Sequence, residues 1–438
     1  MHHNKKRFNY RDMIAGVDEK IPNENGKSII AINFDNAATT PPLNSVLDEI
    51  MNFSKYYSSI HRGTGYKSIF SSKIYEDSRK IVCDFVHCDY HKNTVIYVKN
   101  TTEAINKLSY AVSTIYEDCV ILTTRMEHHS NDLPWRNKFK VDYIDVDDFG
   151  KLKIDDLESK LKEYNGKVKL VCVTGASNVT GYKNPIYEIA SICHSYDAKI
   201  LVDGAQLVPH YPIRMKSSRR ERCIDFLAFS AHKMYAPFGI GVLIGPKEFF
   251  LQAEPDHVGG GTIDIVTDDF VTWADPPDKN EAGTPNIMGV MALTASIKTL
   301  KHLGIKDIDK HEMNIYNYAL SKLREIPEIT IYCDTSDDCD KVAILPFNIE
   351  GIYHEVTAKE LSRISGIAVR SGCFCAHPYI RRLLKIPLEE MEHYQKDKNS
   401  RRPGMVRLSF SFYNTYSEVD VLVKTIKKIV KNRSHLQQ

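Results

Sequence analysis

The sequence predicts an α/β protein with a large domain on a mostly parallel, seven-stranded sheet and a smaller α/β domain towards the C-terminus. First, seven short apolar runs alternate with helical segments between residues 95 and 245, which is typical of a parallel sheet covered by helices on both faces. Second, strand and helix patterns alternate again after residue 340. Third, polar residues follow several of the apolar runs, and such residues converge on one crevice when the strands are parallel.

The strands of the larger sheet are predicted from apolar runs of strand length. These runs lie at residues 95–99, 119–124, 141–146, 169–174, 199–203, 225–230 and 241–245. Apolar residues at helical spacing predict helices between them, for example at 102–112 and 185–196. Before the sheet, the spacing of Ile74, Ile81, Val82 and Phe85 predicts an amphipathic helix.

The smaller domain is predicted from the end of the chain, completed by its beginning. After a helix at 288–303, strands are predicted at 341–349, 367–371 and 405–410, and a last helix from residue 417. An apolar run at 28–34 predicts a further strand. We therefore expect an N-terminal segment, 1–42, that packs on the small domain, a large domain at 43–287 and a small domain at 288–438. The charged stretch 386–404 is predicted as an exposed helix and loop with no assignable chemistry.

Composition excludes several classes of function. The 58 Lys and Arg against 56 Asp and Glu leave a formal charge of +2, so nothing points to nucleic acid or an acidic membrane as a partner. No apolar run approaches the length of a membrane span, and the polar N-terminus lacks the apolar core of a signal peptide. The ten cysteines are scattered except for Cys373 and Cys375, which predicts reduced thiols and a cytoplasmic location.

Asn100-Thr101-Thr102-Glu103 lies where the first sheet strand meets a helix. Hydroxyls and free backbone N–H groups at a helix start suit a phosphate. The alternative is that Thr101 or Thr102 only caps the helix.

Two further strand ends carry residues suited to a cofactor ring. His128, in Met126-Glu127-His128-His129, could stack on such a ring or shuttle protons; alternatively, the two histidines are a surface pair. No metal site is predicted, because the pattern lacks a third ligand nearby. Asp203 closes a very apolar strand and could face a protonated ring nitrogen, or only hydrogen-bond a turn.

Ser230-Ala231-His232-Lys233 follows another apolar run. A lysine at a strand end can form a Schiff base with a carbonyl cofactor if burial lowers its pKa. By itself this lysine is more simply a surface charge. A phosphate anchor, a ring stacker, a ring-nitrogen partner and this lysine, in that order on one sheet, together describe a site for pyridoxal phosphate.

The chain also resembles the class V, fold-type I pyridoxal-phosphate enzymes, and among them the cysteine desulfurase and selenocysteine lyase group. The resemblance runs from about residue 34 to 430. It depends on Asp35-Asn36-Ala37-Ala38, His61-Arg62-Gly63, Thr101-Thr102-Glu103, Met126-Glu127-His128-His129, Ser177-Asn178-Val179-Thr180-Gly181, Val202-Asp203-Gly204-Ala205-Gln206, Ser230-Ala231-His232-Lys233, Gly259-Gly260-Gly261, Glu281-Ala282-Gly283-Thr284-Pro285-Asn286 and Arg370-Ser371-Gly372.

The resemblance implies roles for four residues around the cofactor ring. Lys233 resembles the lysine that holds the cofactor and moves protons at the substrate Cα. His128 matches the ring-stacking histidine and Asp203 the partner of the pyridine nitrogen. Gln206 matches the hydrogen-bond donor to the phenolic oxygen.

The resemblance also implies a phosphate site, a substrate site and a homodimer. Thr284 matches a residue that reaches the phosphate of the neighbouring subunit's cofactor. Asn178 and Arg370 resemble the pair that binds the substrate α-carboxylate, for which a guanidinium offers bidentate geometry. The positions that match phosphate ligands are Thr102, Ser230 and His232, with Thr101 as a neighbouring candidate.

The choice of activity depends on the cysteines. In the desulfurases that this chain resembles, a cysteine after the Arg-x-Gly element attacks the substrate sulfur, and Cys375 has that position, five residues after Arg370. A nearby cation such as His377 could lower the thiol pKa. Cys373 is a second thiol that could be nucleophile, relay or bystander. Alternatively, both are packing cysteines.

We therefore expect a homodimeric cysteine desulfurase that converts L-cysteine to L-alanine, leaves a persulfide on Cys375 and passes sulfur to an acceptor protein. The alternatives are another class V enzyme (an aminotransferase, an epimerase, or a selenocysteine or cysteine lyase) and a catalytically silent scaffold. The presence of Lys233, Asp203 and His128 argues against the scaffold.

Overall fold

The computed structural model describes residues 9–22, 26–333, 340–397 and 400–436. The strands in chain order are β1 (Lys20–Pro22), β2 (Ser28–Ile30), β3 (Ile32–Asn33), β4 (Asn93–Val98), β5 (Val120–Thr124), β6 (Lys140–Ile144), β7 (Val168–Thr174), β8 (Lys199–Asp203), β9 (Phe226–Ser230), β10 (Gly241–Pro246), β11 (Ile263–Val266), β12 (Val271–Trp273), β13 (Ile329–Ile331), β14 (Ile344–Ile349), β15 (Ile367–Ala368), β16 (Arg370–Gly372) and β17 (Met405–Ser409).

Helices lie between most of these strands. They are α1 (Asn44–Ser54), α2 (Tyr66–Val86), α3 (Thr101–Ile115), α4 (Leu133–Arg136), α5 (Ile154–Tyr164), α6 (Ile186–Ser195), α7 (Lys247–Gln252), α8 (Ile287–Leu303), α9 (Ile305–Arg324), α10 (His354–Ser365), α11 (His377–Leu383), α12 (Leu388–Lys396) and α13 (Tyr416–Lys431). No helix in the described ranges has the length and apolar content needed to cross a membrane.

The larger sheet has seven strands in the order β4-β10-β9-β8-β7-β5-β6. Only β10 is antiparallel to its neighbours, β4 and β9, and the remaining pairs are parallel. Val95 and Tyr97 of β4 enter one apolar cluster, whereas Ile96 and Val98 enter the cluster on the opposite face. Both faces are therefore covered, as their unbroken apolar sequences predict. The predicted seven-stranded, mostly parallel sheet is confirmed.

The smaller sheet is antiparallel, with the order β13-β14-β17-β16. Its core is a separate apolar cluster that includes Phe34, Phe347, Leu408 and Leu422. The strand predicted at 367–371 is divided: β15 pairs in parallel with β3, while β16 joins the smaller sheet. Likewise, the strand predicted at 28–34 is divided into β2, paired with β1, and β3.

The N-terminal segment contacts both parts of the molecule. Ile32 pairs with Ile367, and Nη1 of Arg11 lies 2.7 Å from a carboxylate oxygen of Glu418. Ile14, in contrast, belongs to the large cluster beneath the main sheet. The division of the chain into domains at residues 42 and 287 stays a prediction.

The charged stretch 386–404 contains α12, whose first residues are exposed. The prediction of a helix there is confirmed, and residues 398 and 399 lie outside the described residues. β11 and β12 form a hairpin outside both sheets. This hairpin exposes Ile265, Val266 and Phe270 to solvent.

The expectation that all thiols are reduced is wrong for one pair. Cys83 and Cys88 form a disulfide at the end of α2. The chain turns at His87, which has a positive φ of 51°, and the N–H of Cys88 donates to the carbonyl of Cys83. This helix-ending turn brings two cysteines five positions apart to a Cα–Cα distance of 4.9 Å, a separation that a disulfide can span.

Candidate active site

A cavity of about 320 Å³ lies between the carboxyl ends of the larger sheet's strands and the smaller sheet. All the site residues that the sequence predicts line this cavity, apart from Thr284. The lining residues are Ala37, Ala38, Asn100, Thr101, Thr102, His128, Ser130, Thr174, Asn178, Asp203, Ala205, Gln206, Ser230, His232, Lys233, Arg370, Phe374, Cys375 and Arg407.

One end of the cavity is formed by the N-terminus of α3. Asn100 caps this helix, because its Oδ1 accepts a 3.0 Å hydrogen bond from the N–H of Glu103. The interpretation of Thr101 or Thr102 as the cap is therefore wrong. The Thr101 hydroxyl lies 2.7 Å from Oγ of Ser230, and the backbone N–H of Thr101 donates to the same Oγ. Hydroxyls and helix N–H groups at this end create a place for an anion.

His128 forms one wall and is a neutral ring with a defined tautomer. The backbone N–H of Ser130 donates to its Nδ1 at 3.1 Å, so this nitrogen carries a lone pair and Nε2 carries the proton. Oγ of Ser130 lies 2.9 Å from the same nitrogen and 2.7 Å from the Thr102 hydroxyl. Burial, together with the charge of Lys233, lowers the pKa of His128 to about 3.

Lys233 ends a single 3-10 turn, Ala231–Lys233, that directly follows β9. Burial lowers the pKa of its ammonium to about 8, although the carboxylate of Asp203 acts in the opposite direction. At pH 7 about a tenth of the amine is therefore neutral, and the neutral form is the one that acts as a nucleophile. Beside it, His232 is half-buried, and burial lowers its pKa to about 4.

Asp203 and Gln206 have unused hydrogen-bonding capacity in the cavity wall. Asp203 ends β8, and its Oδ1 accepts one hydrogen bond, from the N–H of Ala205 at 2.9 Å. Burial raises its pKa, and Lys233 partly offsets this effect. Nε2 of Gln206 donates to the carbonyl of Ala37 at 2.7 Å, while its buried Oε1 has no partner. An unpaired buried oxygen is costly, which is typical of a position that a ligand completes.

The opposite wall carries two guanidinium groups and one carboxylate. Arg370 is exposed, and its Nη2 lies 2.9 Å from Oδ2 of Asp35. Arg407 is buried, and it donates to Oδ1 of Asp35 at 3.0 Å and to the carbonyl of Asn178 at 2.8 Å. Its buried Nε has no partner. The wall therefore retains capacity to bind a small carboxylate.

Cys375 lies at the mouth of the cavity and is exposed. Its carbonyl accepts a 2.7 Å hydrogen bond from the N–H of His129. Lys233 and Arg407 lie close enough to Cys375 to interact with it electrostatically, which offsets a small part of the lowering of their pKa values by burial. His377 does not supply the expected cation, because burial and Arg402 lower its pKa.

Thr284 is exposed and does not line this cavity. Its loop is held by Glu281, which accepts hydrogen bonds from the Arg79 guanidinium at 2.8 and 3.0 Å. The Tyr75 hydroxyl and the Tyr97 backbone N–H donate to the same carboxylate, each at 2.6 Å. Thr284 therefore has a fixed position outside the cavity of its own chain.

Sequence reasoning missed Arg407, Asp35, Ser130 and His129 as contributors to the site. Arg407 offered a signal, because it is a lone arginine inside an otherwise apolar strand and such a charge is rarely buried without a role. Asp35 and His129 belong to motifs that carry the family resemblance, although no role was assigned to either, whereas for Ser130 the sequence carries no comparable signal.

Known proteins resemble this chain over most of its length. The family described as Aminotransferase class-V matches residues 32–422. A probable cysteine desulfurase of Halalkalibacterium halodurans is 35% identical over 420 residues, which cover 94% of this chain and 96% of the relative. A cysteine desulfurase of Escherichia coli O127:H6 is 33% identical over 405 residues, or 90% and 92% of the two chains. The apo structure of a cysteine desulfurase from Thermococcus onnurineus NA1 superposes with a TM-score of 0.81 at 33% identity and covers 92% of this chain and 95% of that one.

Proposed function

Because the chain belongs to the class-V aminotransferase family, we propose that it is a pyridoxal-phosphate-dependent cysteine desulfurase. It converts L-cysteine to L-alanine and retains the sulfur as a persulfide on Cys375. The observation that carries this proposal is that Cys375 and Lys233 line one cavity. Relatives that are named cysteine desulfurases support the choice of substrate.

The residues present fit pyridoxal phosphate. Lys233 offers an amine with a lowered pKa of about 8. Gln206 Nε2 donates to the Ala37 carbonyl, and its second N–H would be the one to donate to the phenolic oxygen. Asp203 has a buried carboxylate with few hydrogen bonds, which suits a protonated ring nitrogen. His128 provides a flat, neutral ring. These features make up the polar surroundings of a pyridine ring.

Hydroxyls at the start of α3 and at the end of β9 would hold the phosphate. Thr101 and Ser230 are already paired with each other, and Thr102 is paired with Ser130. His232, with a neutral ring, adds one more donor. Thr284 would come from a second copy of the chain, because it is exposed and outside the cavity.

When bound, pyridoxal phosphate supplies an electron sink for the carbon atoms of an attached amino acid. Lys233 would hold the cofactor and would then move a proton at the substrate Cα, for which its lowered pKa is suited. Asp203 would keep the proton on the ring nitrogen. Asn178, Arg370 and Arg407 bind the substrate α-carboxylate and orient the amino acid.

Cys375 carries the sulfur-transfer step. Its thiolate attacks the substrate sulfur, so that an S–S bond forms while the bond between Cβ and sulfur breaks. The electron pair of the broken bond stays with Cβ, which takes up a proton and becomes the methyl group of alanine. L-cysteine and the enzyme thiol thus give L-alanine and the enzyme persulfide, and no outside oxidant is needed.

A homodimer follows from the same proposal. Exposed apolar side chains on the β11–β12 hairpin, such as Ile265, Val266 and Phe270, offer a surface for a second copy. The exposed position of Cys375 suits delivery of sulfur to an acceptor protein. The cytoplasmic location stays a prediction.

The alternative is another class V activity, such as transamination, epimerisation or selenocysteine cleavage. It would use Lys233, Asp203 and His128 in the same way and would not need a thiol. The position of Cys375 at the cavity favours cysteine as the substrate.

The deciding experiment measures alanine and sulfide release from L-cysteine, with a thiol reductant, for wild type, Cys375→Ser and Cys373→Ser. We expect wild type and Cys373→Ser to release both products in equal amounts and Cys375→Ser to release neither above background. Mass spectrometry of wild type without reductant should find one added sulfur on the peptide that contains Cys375. If Cys375→Ser keeps full sulfide release while Cys373→Ser loses it, the nucleophile assignment is wrong. If wild type releases no alanine, the desulfurase proposal is wrong.

A further inference from the structure

The loop that carries Cys375 has a backbone conformation that needs outside support. Phe374 and Cys375 are consecutive residues with positive φ, 50° and 53°. Residues other than glycine adopt this left-handed region at a cost, and such conformations persist when surrounding contacts enforce them. The contacts around this loop therefore decide whether Cys375 stays at the cavity.

Two loops of the large sheet provide that support. Nδ2 of Asn178, which follows β7, donates to the carbonyl of Phe374 at 2.7 Å. The N–H of His129, which follows β5, donates to the carbonyl of Cys375, also at 2.7 Å. His129 is adjacent to His128, so one short segment contacts both the cysteine loop and the cofactor side of the cavity.

His129 is in turn paired with His377, two residues beyond the cysteine. Their rings are stacked, with centroids 4.9 Å apart and planes inclined by 6°. Nε2 of His129 accepts a 3.3 Å hydrogen bond from the backbone N–H of His377, and Nδ1 of His377 lies 3.0 Å from the same Nε2. Nε2 of His129 must therefore be unprotonated. A proton on it would remove the acceptor for the N–H of His377.

We infer that His129 and His377 form a neutral pair that positions Cys375 at the cavity, and that protonation of the pair releases the cysteine loop. The effect that release of the cysteine loop has on catalysis rests on the proposed function. Both histidines act through Cys375 and are positioning residues.

The surroundings of the pair favour its neutral form. Burial lowers the pKa of His129 from its ordinary value of 6.5, and His377 lowers it further, while Asp132 acts in the opposite direction. His377 is exposed, but the partial desolvation of its ring and the charge of Arg402 still lower its pKa. The ionisable groups that face the two rings are His128, Asp132, Arg136, Cys375 and Arg402.

The sign of the pH dependence follows from these directions. We call the loop closed when the His129–His377 pair holds Cys375 at the cavity. In this closed position the two histidines bind fewer protons than in the released loop, where they titrate near 6.5. The closed position is therefore fully favoured above pH 6.5 and loses this advantage progressively as the pH falls below that value.

Comparing two substrates shows whether a change acts on the cysteine loop or on the rest of the site. L-cysteine needs the thiol of Cys375, whereas L-cysteine sulfinate loses its sulfur as sulfur dioxide and leaves alanine without a thiol nucleophile. The ratio of the two alanine-forming rates therefore reports on the cysteine loop. For wild type we expect this ratio to fall as the pH falls below 6.5.

Two substitutions of His129 distinguish the effect of the hydrogen bond at Nε2 from the effect of protonating that nitrogen. His129→Ala removes the acceptor at Nε2, and we expect the ratio to fall about tenfold, the equivalent of one lost hydrogen bond. His129→Gln places an amide oxygen near the same position, so we expect the ratio to be kept and its decline below pH 6.5 to disappear. His377→Ala keeps the backbone N–H but loses the ring stack and the Nδ1 contact with His129, so we expect a smaller fall than in His129→Ala. His302→Gln, which changes an exposed histidine on α8, should behave like wild type.

The inference is overturned if His129→Ala leaves the ratio unchanged, if both substrates lose rate equally, or if His129→Gln keeps the wild-type pH dependence. NMR titration of the histidine rings tests the pair without any turnover. The resonance that disappears in His129→Gln should titrate below 6.5 in wild type and move towards 6.5 in His377→Ala; an ordinary titration in wild type overturns the inference. If wild type turns over neither substrate, the proposed function fails while this titration still tests the pair.

Discussion

Arg407 donates a 3.0 Å hydrogen bond to Oδ1 of Asp35, and Arg370 forms an ion pair with the other oxygen of the same carboxylate. One carboxylate thus holds two guanidinium groups at the wall of the cavity. Arg407 is buried, and without Asp35 it would have no compensating charge among the contacts described for it. Asp35 therefore determines both the position and the net charge of the wall that we assign to the substrate carboxylate.

Substitution of Asp35 by Asn should weaken this wall. We expect the KM for L-cysteine to rise about tenfold and kcat to change less than threefold, because the arginines lose their fixed geometry. The free energy of unfolding should fall by roughly 3 kcal/mol, since a buried ion pair loses one partner. Steady-state kinetics and denaturant unfolding check both values, with the exposed Asp48→Asn as control. An unchanged KM would contradict the assignment of this wall to the carboxylate.

Lys233→Ala should abolish covalent attachment of pyridoxal phosphate. Wild type incubated with the cofactor and dialysed should keep a visible absorption band, and the variant should lose it, because Lys233 is the only lysine among the described residues that line the cavity. Lys298→Ala, on the exposed side of α8, should keep the band. Absorption spectra of the three proteins at equal concentration provide the measurement. A persistent band in Lys233→Ala would show that another lysine holds the cofactor.

Glu127→Gln should change how stability depends on pH. Burial raises the pKa of Glu127 from 4.5 to about 8, against the hydrogen bonds from Thr124, Asn131 and Thr174. A carboxyl with a raised pKa stabilises the folded state below 4.5 and loses this contribution as the pH rises to about 8. Wild type should therefore lose a few kcal/mol of stability relative to the variant across that range, at about 1.4 kcal/mol per pKa unit.

The Gln side chain should be accommodated at this position. Oδ1 of Asn131 has no partner, so rotation of the Asn131 amide lets it accept a hydrogen bond from the new N–H group. Urea unfolding of both proteins at pH 5, 6.5 and 8 checks the sign. The exposed Glu117→Gln should follow the wild-type profile. Parallel curves for wild type and Glu127→Gln would mean that Glu127 is ionised in the folded protein.

A mixed dimer tests whether Thr284 acts across a subunit boundary. Homodimers of Lys233→Ala should be inactive, and homodimers of Thr284→Val should be weakened. A hybrid purified with two different tags should recover about half of the wild-type activity, because one of its two sites regains every residue. A hybrid no more active than the Thr284→Val homodimer would show that Thr284 does not act across the subunit boundary.

The prediction of the fold succeeded where local pattern and chain order suffice. All seven strands of the larger sheet were predicted, with boundaries that differ from the observed ones by at most two residues, because all of them except the edge strand β6 are mostly buried apolar runs between polar turns. The prediction was less accurate in the smaller sheet, where the segment 367–371 contributes to two different sheets. A break at one residue leaves little trace in a short apolar run.

The sequence by itself determined the sheet, the order of its strand ends and the residues that those ends present: Thr101, His128, Asp203 and Lys233. Parallel strands place their carboxyl ends at one edge, so that local motifs become neighbours without further information. Only the tertiary structure decided that Asp35 meets Arg407, 372 residues later, and that His129 meets His377, 248 residues later. These contacts depend on how the smaller sheet packs over the larger one. No periodicity or motif records that packing, because it arises from the burial of two separate apolar cores.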